Sequence, residues 1–132
     1  MAKPNPNPSS QTKVLEIGKF YFIHDGSKTG HPGYIVWKDD EKNIYVALKF
    51  GTSKNNENIL LTTKISLATR NYIYKKLFVG KRKDFSSKAL NDFFITDEIR
   101  SLFNVIRNNK PIYSKNISHS AKVNIKSMKI KK

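Results

Sequence analysis

The sequence predicts a mainly β domain, a small curled antiparallel barrel, with one helix towards the end of the chain. Three observations carry this. Short runs rich in aromatic and β-branched residues alternate with Gly-, Asn- and Asp-rich turns across residues 15–80. A single later segment spaces its apolar residues for a helix and carries signals at both ends. Finally, 132 residues suffice for one hydrophobic core and leave little for a second.

Residues 1–13 hold prolines at positions 4, 6 and 8 and nothing to bury, which predicts a disordered, partly extended arm. The barrel domain is expected over residues 14–113. In the first strand-like run, residues 15–24, Phe20 and Phe22 fall on one face and Tyr21 and Ile23 on the other. The six residues DGSKTG at 25–30 are turn chemistry throughout. A second strand is predicted at 33–38, a turn at 39–43 and a returning strand at 44–50. Two further strands follow, at 58–66 and 72–80. The helix is expected over 97–109. Thr96 suits its N-cap, Asp97 and Glu98 suit its electropositive first turn, and Pro111 ends it. Ile99, Leu102, Phe103 and Ile106 form one apolar stripe that would pack on the barrel. Residues 114–132 are read as a flexible basic tail, with an edge strand as the alternative for its last part, residues 120–132, which alternates lysine with Val, Ile and Met.

Charge narrows the partner. Lys and Arg total 25 against 10 Asp and Glu, a net charge of +15, and no acidic residue follows Glu98. Like charges on a compact body repel, so such an excess points to an anionic partner, nucleic acid first and a membrane surface second. The membrane is disfavoured: there is no apolar run of spanning length, no apolar segment after the first lysine, and no cysteine or N-terminal Met-Gly to acylate. A cytoplasmic protein is expected. Without cysteine, and with His24, His31 and His119 lacking paired spacing, neither a metal site nor a cofactor is expected.

Three places could hold chemistry. His24 and His31 flank the 25–30 loop, and a hairpin around it would bring opposed Cβ atoms to about 5 Å. Two imidazoles on one phosphate can serve as base and acid, although either can also be read as a solvated loop residue, His24 more readily than His31. Thr52, Ser53 and Lys54 close the third strand and could hold a phosphate through hydroxyl, amide and ammonium donors, or form a plain turn. Lys81, Arg82 and Lys83 follow the last strand, as a phosphate contact or a solvated loop. Lys28 and Lys49 add further cations near the first two places. Of the aromatic residues Trp37, Tyr45, Tyr72 and Tyr74, some could stack bases, while most are expected in packing.

Taken in order, these pieces resemble the MazF/PemK family of toxin endoribonucleases. Residues 17–20, IGKF, are similar to that family's opening strand. The run at 31–36, HPGYIV, is similar to its Arg-Pro strand, and the run at 46–53, VALKFGTS, to its strand ending in a hydroxyl pair. Residues 74–80 and the 97–109 helix match later elements, so the similarity spans about 16–109. The resemblance implies an SH3-like barrel, often a homodimer, that cleaves single-stranded RNA without metal and is held inactive by an antitoxin lying over the same groove. It implies His31, Thr52 and Ser53 as catalytic, with His31 standing where the family has arginine. His24, Lys28, Lys49, Lys54, Lys81, Arg82 and Lys83 would then bind RNA. The alternative is the same small barrel holding RNA or DNA without catalysis.

Overall fold

The computed structural model describes residues 13–26, 30–66 and 71–130. Lys28 and nearly all of the N-terminal arm lie outside these described residues. The chain is mainly β: β1 (Phe20–Ile23), β2 (His31–Asp39), β3 (Ile44–Gly51), β4 (Asn58–Leu60), β5 (Tyr72–Tyr74) and β6 (Phe78–Gly80) form one antiparallel sheet. Two helices follow, α1 (Asp97–Asn108) and α2 (His119–Lys126).

The long third strand organises the sheet. One edge of β3 pairs with β2 from Ile44 to Lys49, with an irregularity between Ile35 and Trp37. Its other edge is shared: Tyr45, Val46 and Ala47 pair with β6, whereas Phe50 and Gly51 pair with β5, which carries β4 on its far side. This sharing explains why the strand expected at 72–80 is two short strands. The chain bends at the exposed Lys75 and Lys76, and Leu77 turns to pair with Tyr113. The strand expected at 58–66 also stops early, at Leu60. Beyond it the amides of Thr62 and Thr63 donate to the Glu98 carboxylate at 2.8–2.9 Å, so they cannot continue a ladder.

Among the described residues the sheet is open, running from β1 to β4. The edge of β1 is nevertheless covered. Residues 84–90 lie along it, with His24 N–H donating to the Asp84 carbonyl and Ser86 and Leu90 N–H to those of Phe22 and Phe20.

Both faces of the sheet bury apolar side chains. On one, Phe20, Val46, Leu48 and Phe50 pack with Ile99 and Phe103 of α1 and Ile125 of α2. On the other, Tyr21, Ile23, Ile35 and Tyr45 pack with Leu15 and Phe85. The helix predicted at 97–109 is α1, with the Thr96 hydroxyl accepting from Ile99 N–H at its start. Leu102 and Ile106 pack partly buried at the edge of the same core.

The expected flexible tail is corrected. Residues 119–126 form α2, capped by the Ser118 hydroxyl, which accepts from Ala121 N–H. Ala121 and Ile125 are buried one helical turn apart, and Met128 packs on the same core. The alternation of lysine with apolar residues had hidden a helical period, because Val123, which breaks it, points to solvent. Among the described residues no helix is long and apolar enough to cross a membrane.

Candidate active site

The β1–β2 hairpin closes on the pair Ile23 and His31, so His24 lies one position beyond it. The expected opposition of His24 and His31 therefore does not form. His24 is exposed and lines a different pocket, with Arg82 and Lys83.

His31 instead meets a carboxylate from its own loop. Its Nδ1 lies 2.9 Å from Asp25 Oδ2, and the same oxygen accepts from Lys49 Nζ at 2.7 Å. A carboxylate only accepts, so Nδ1 donates to Asp25 and Nε2 is the ring nitrogen turned towards Tyr74. Nε2 lies 3.4 Å from the Tyr74 hydroxyl. That hydroxyl accepts from Asn55 Nδ2 at 3.1 Å, which leaves its own proton to give elsewhere. The Lys49 ammonium also stands 4.6 Å from the centre of the Tyr74 ring, a favourable cation–π distance. Asp25, His31, Tyr74 and Asn55 thus form a continuous polar chain, with Lys49 balancing the carboxylate.

Gly51 lets this chain close. A Cβ placed there would stand 3.3 Å from Tyr74 Cε1, tighter than side chains ordinarily pack, and 3.4 Å from His31 Cδ2. The loop after Gly51 is held by its asparagines: Asn58 Nδ2 donates to the Ser53 carbonyl and Asn58 Oδ1 accepts from Asn55 N–H. Thr52 and Ser53 are thereby carried to the mouth of a pocket of about 370 Å³ that His31 and Tyr74 also line. Its remaining walls include Phe22, Phe50 and Phe93, with Ser66 and Asn71 as polar members. Asn71 is 4% exposed and its Nδ2 has no hydrogen-bond partner among the described residues. A buried donor in that state costs about 1–3 kcal/mol.

No protein-family model, curated protein or solved structure matches the chain.

The sequence-predicted residues therefore separate into groups. His31, Thr52 and Ser53 line one pocket, and Lys49 supports it from behind through Asp25. Lys54 is exposed on the adjoining loop and is not part of the pocket wall. Lys81, Arg82 and Lys83 belong to the turn after β6. The Arg82 guanidinium is committed to main-chain carbonyls, donating to those of Lys13, Phe85, Ser86 and Ser87. Arg82 is therefore a strut that ties the turn to the start of the domain, while Lys81 and Lys83 remain exposed. Tyr45 and Tyr72 are core residues and Trp37 packs against the core, leaving Tyr74 as the aromatic residue of that set at the site. Sequence reasoning missed Asp25, Asn55, Ser66 and Asn71. Asp25 alone carried a signal, being an acidic residue in the loop that presents His31.

Proposed function

We propose that this chain is a metal-independent endoribonuclease toxin of the MazF/PemK kind, cleaving single-stranded RNA at the pocket beside His31. The observation that supports it most is the Asp25-oriented imidazole opening onto the same pocket as the Thr52 and Ser53 hydroxyls. An imidazole with a fixed tautomer is a general base, and paired hydroxyls are donors for phosphoryl oxygens.

The chemistry follows from these positions. His31 Nε2 takes the proton of a ribose 2′-OH, and that oxygen attacks the adjacent phosphorus. Thr52, with Ser53 beside it, donates to a non-bridging oxygen as charge builds there. The bond from phosphorus to the 5′-oxygen breaks, and the Tyr74 hydroxyl gives the leaving oxygen its proton. The protonated His31 returns a proton to Tyr74 across their 3.4 Å contact. The products are a 2′,3′-cyclic phosphate and a free 5′-OH, and no cofactor is needed.

The fold reading that goes with this is an SH3-like barrel. It is supported by β3 pairing with three strands and by residues 84–90 covering the edge of β1. An antitoxin peptide and a second copy of the chain are the protein partners that this reading carries. The presence of His31 where the family has arginine favours the second reading, a basic module that binds RNA or DNA without cutting.

Substrate chemistry tests the proposal. An RNA carrying a single 2′-deoxy nucleotide at the cleavage position should resist cutting there, since the attacking oxygen is gone. Cutting at the deoxy position with an unchanged rate would contradict it.

A further inference from the structure

The helix α2 buries one side and presents the other to solvent. Ala121 and Ile125 are buried, whereas His119, Lys122, Val123 and Lys126 are exposed. Their spacing, i, i+3, i+4 and i+7, puts these four on one face. Lys115 before the helix and Lys129 after it are exposed as well. Among the described residues none of these four lysines enters an ion pair.

The fold gains little from this charge. Lys122 and Lys126 stand at i and i+4, where like charges repel, and no acidic residue in the first turn of α2 offsets them. Glutamine would serve the helix about as well as lysine does. The whole chain after Glu98 holds no Asp or Glu, so the excess continues through the surrounding segments. Such a face fits an anionic partner. A membrane surface would take an apolar helix side, but Ile125, with Met128 after it, is already packed in the core. A nucleic-acid backbone needs only the cations, and Lys122 and Lys126 lie about 6 Å apart along the helix axis.

We propose that the exposed face of α2 is a docking surface for the RNA backbone, with Lys122 and Lys126 each neutralising a phosphate and Lys115 and Lys129 flanking them. It is separate from the catalytic pocket, whose lining residues all precede α2. Contacts of this kind hold a strand without reading its sequence. The inference rests on the RNA partner of the proposed function and not on cleavage.

Binding of the full chain to a labelled single-stranded 2′-O-methyl RNA, followed over a range of salt concentrations, tests it. That RNA has no free 2′-OH, so cutting by the proposed route does not disturb the measurement. For single strands the logarithm of affinity falls against the logarithm of salt with a slope of about 0.7 per phosphate neutralised. Lys122→Gln with Lys126→Gln should therefore flatten the slope by about 1.4. Lys19→Gln with Lys42→Gln removes two exposed charges elsewhere and should leave the slope close to that of the wild type. Lys122→Arg with Lys126→Arg keeps the charge and should keep the slope. An unchanged slope in the α2 glutamine variant, or equal flattening in both glutamine variants, would overturn the inference and leave the ribonuclease reading untouched. A wild type that binds vesicles rich in anionic lipid but no RNA would overturn both.

Discussion

At His31, one carboxylate decides which ring nitrogen is available. Asp25 holds Nδ1 at 2.9 Å, so Nε2 faces the pocket. Asp25→Asn keeps the shape but can offer its own N–H to the ring, which admits the other tautomer. We expect the cleavage rate to fall on the order of 10²–10⁴-fold with little change in RNA affinity. Single-turnover rates measured beside binding of a non-cleavable RNA would check it, and a variant within twofold of wild type would remove Asp25 from the mechanism. The positions of His31, Thr52 and Ser53 were legible in the sequence because each sits at a strand end where turn residues and polar side chains coincide. Asn71 was not. Its place depends on residues 50–53 and 93 meeting residue 71 in space, and nothing local marks a buried asparagine with an unspent donor.

Elements were legible where their signals are local. The α1 helix carries its cap, first-turn acids and stop in its own sequence, and it forms within one residue of the expected span. The split of β5 from β6, and the end of β4, were not legible, because each is decided by a distant partner. For β4 that partner is Glu98. Its carboxylate accepts from both the amides and the hydroxyls of Thr62 and Thr63, tying α1 to the loop after β4. Burial alone would push the Glu98 carboxyl up, but these hydrogen bonds outweigh it and hold its pKa below the ordinary value. A group lowered on folding stabilises fully above its unfolded pKa, and the contribution is lost as pH falls through the folded pKa. Glu98→Gln should therefore cost about 1–2 kcal/mol at neutral pH, the lower part of that range reflecting its partial exposure to solvent. Below the folded pKa of Glu98 the difference from wild type should vanish. Urea unfolding at neutral and acidic pH checks this, and an equal loss at both would assign the effect to shape instead of charge.

For the whole molecule, the mainly β class was legible, whereas the closed barrel expected of it is an open sheet among the described residues. Alternating strands and turns gave a mainly β chain with one helix, whereas α2 was hidden by lysines that sit on its exposed side. The net charge of +15 bears on the proposed partner more than on the fold, since exposed cations add affinity for any phosphate backbone. Charge alone therefore suits a cutter and a binder equally. The proposal of a cutter rests instead on the Asp25–His31–Tyr74 chain beside the pocket with Thr52 and Ser53. The decisive measurement is incubation of the full chain with a long single-stranded RNA in EDTA, wild type beside His31→Ala and Thr52→Ala. The account predicts discrete fragments from the wild type, a rate lowered on the order of 10²–10⁴-fold in His31→Ala, and retained RNA binding by both variants. Intact RNA that the wild type binds without cutting, or cleavage undiminished in His31→Ala, would contradict it.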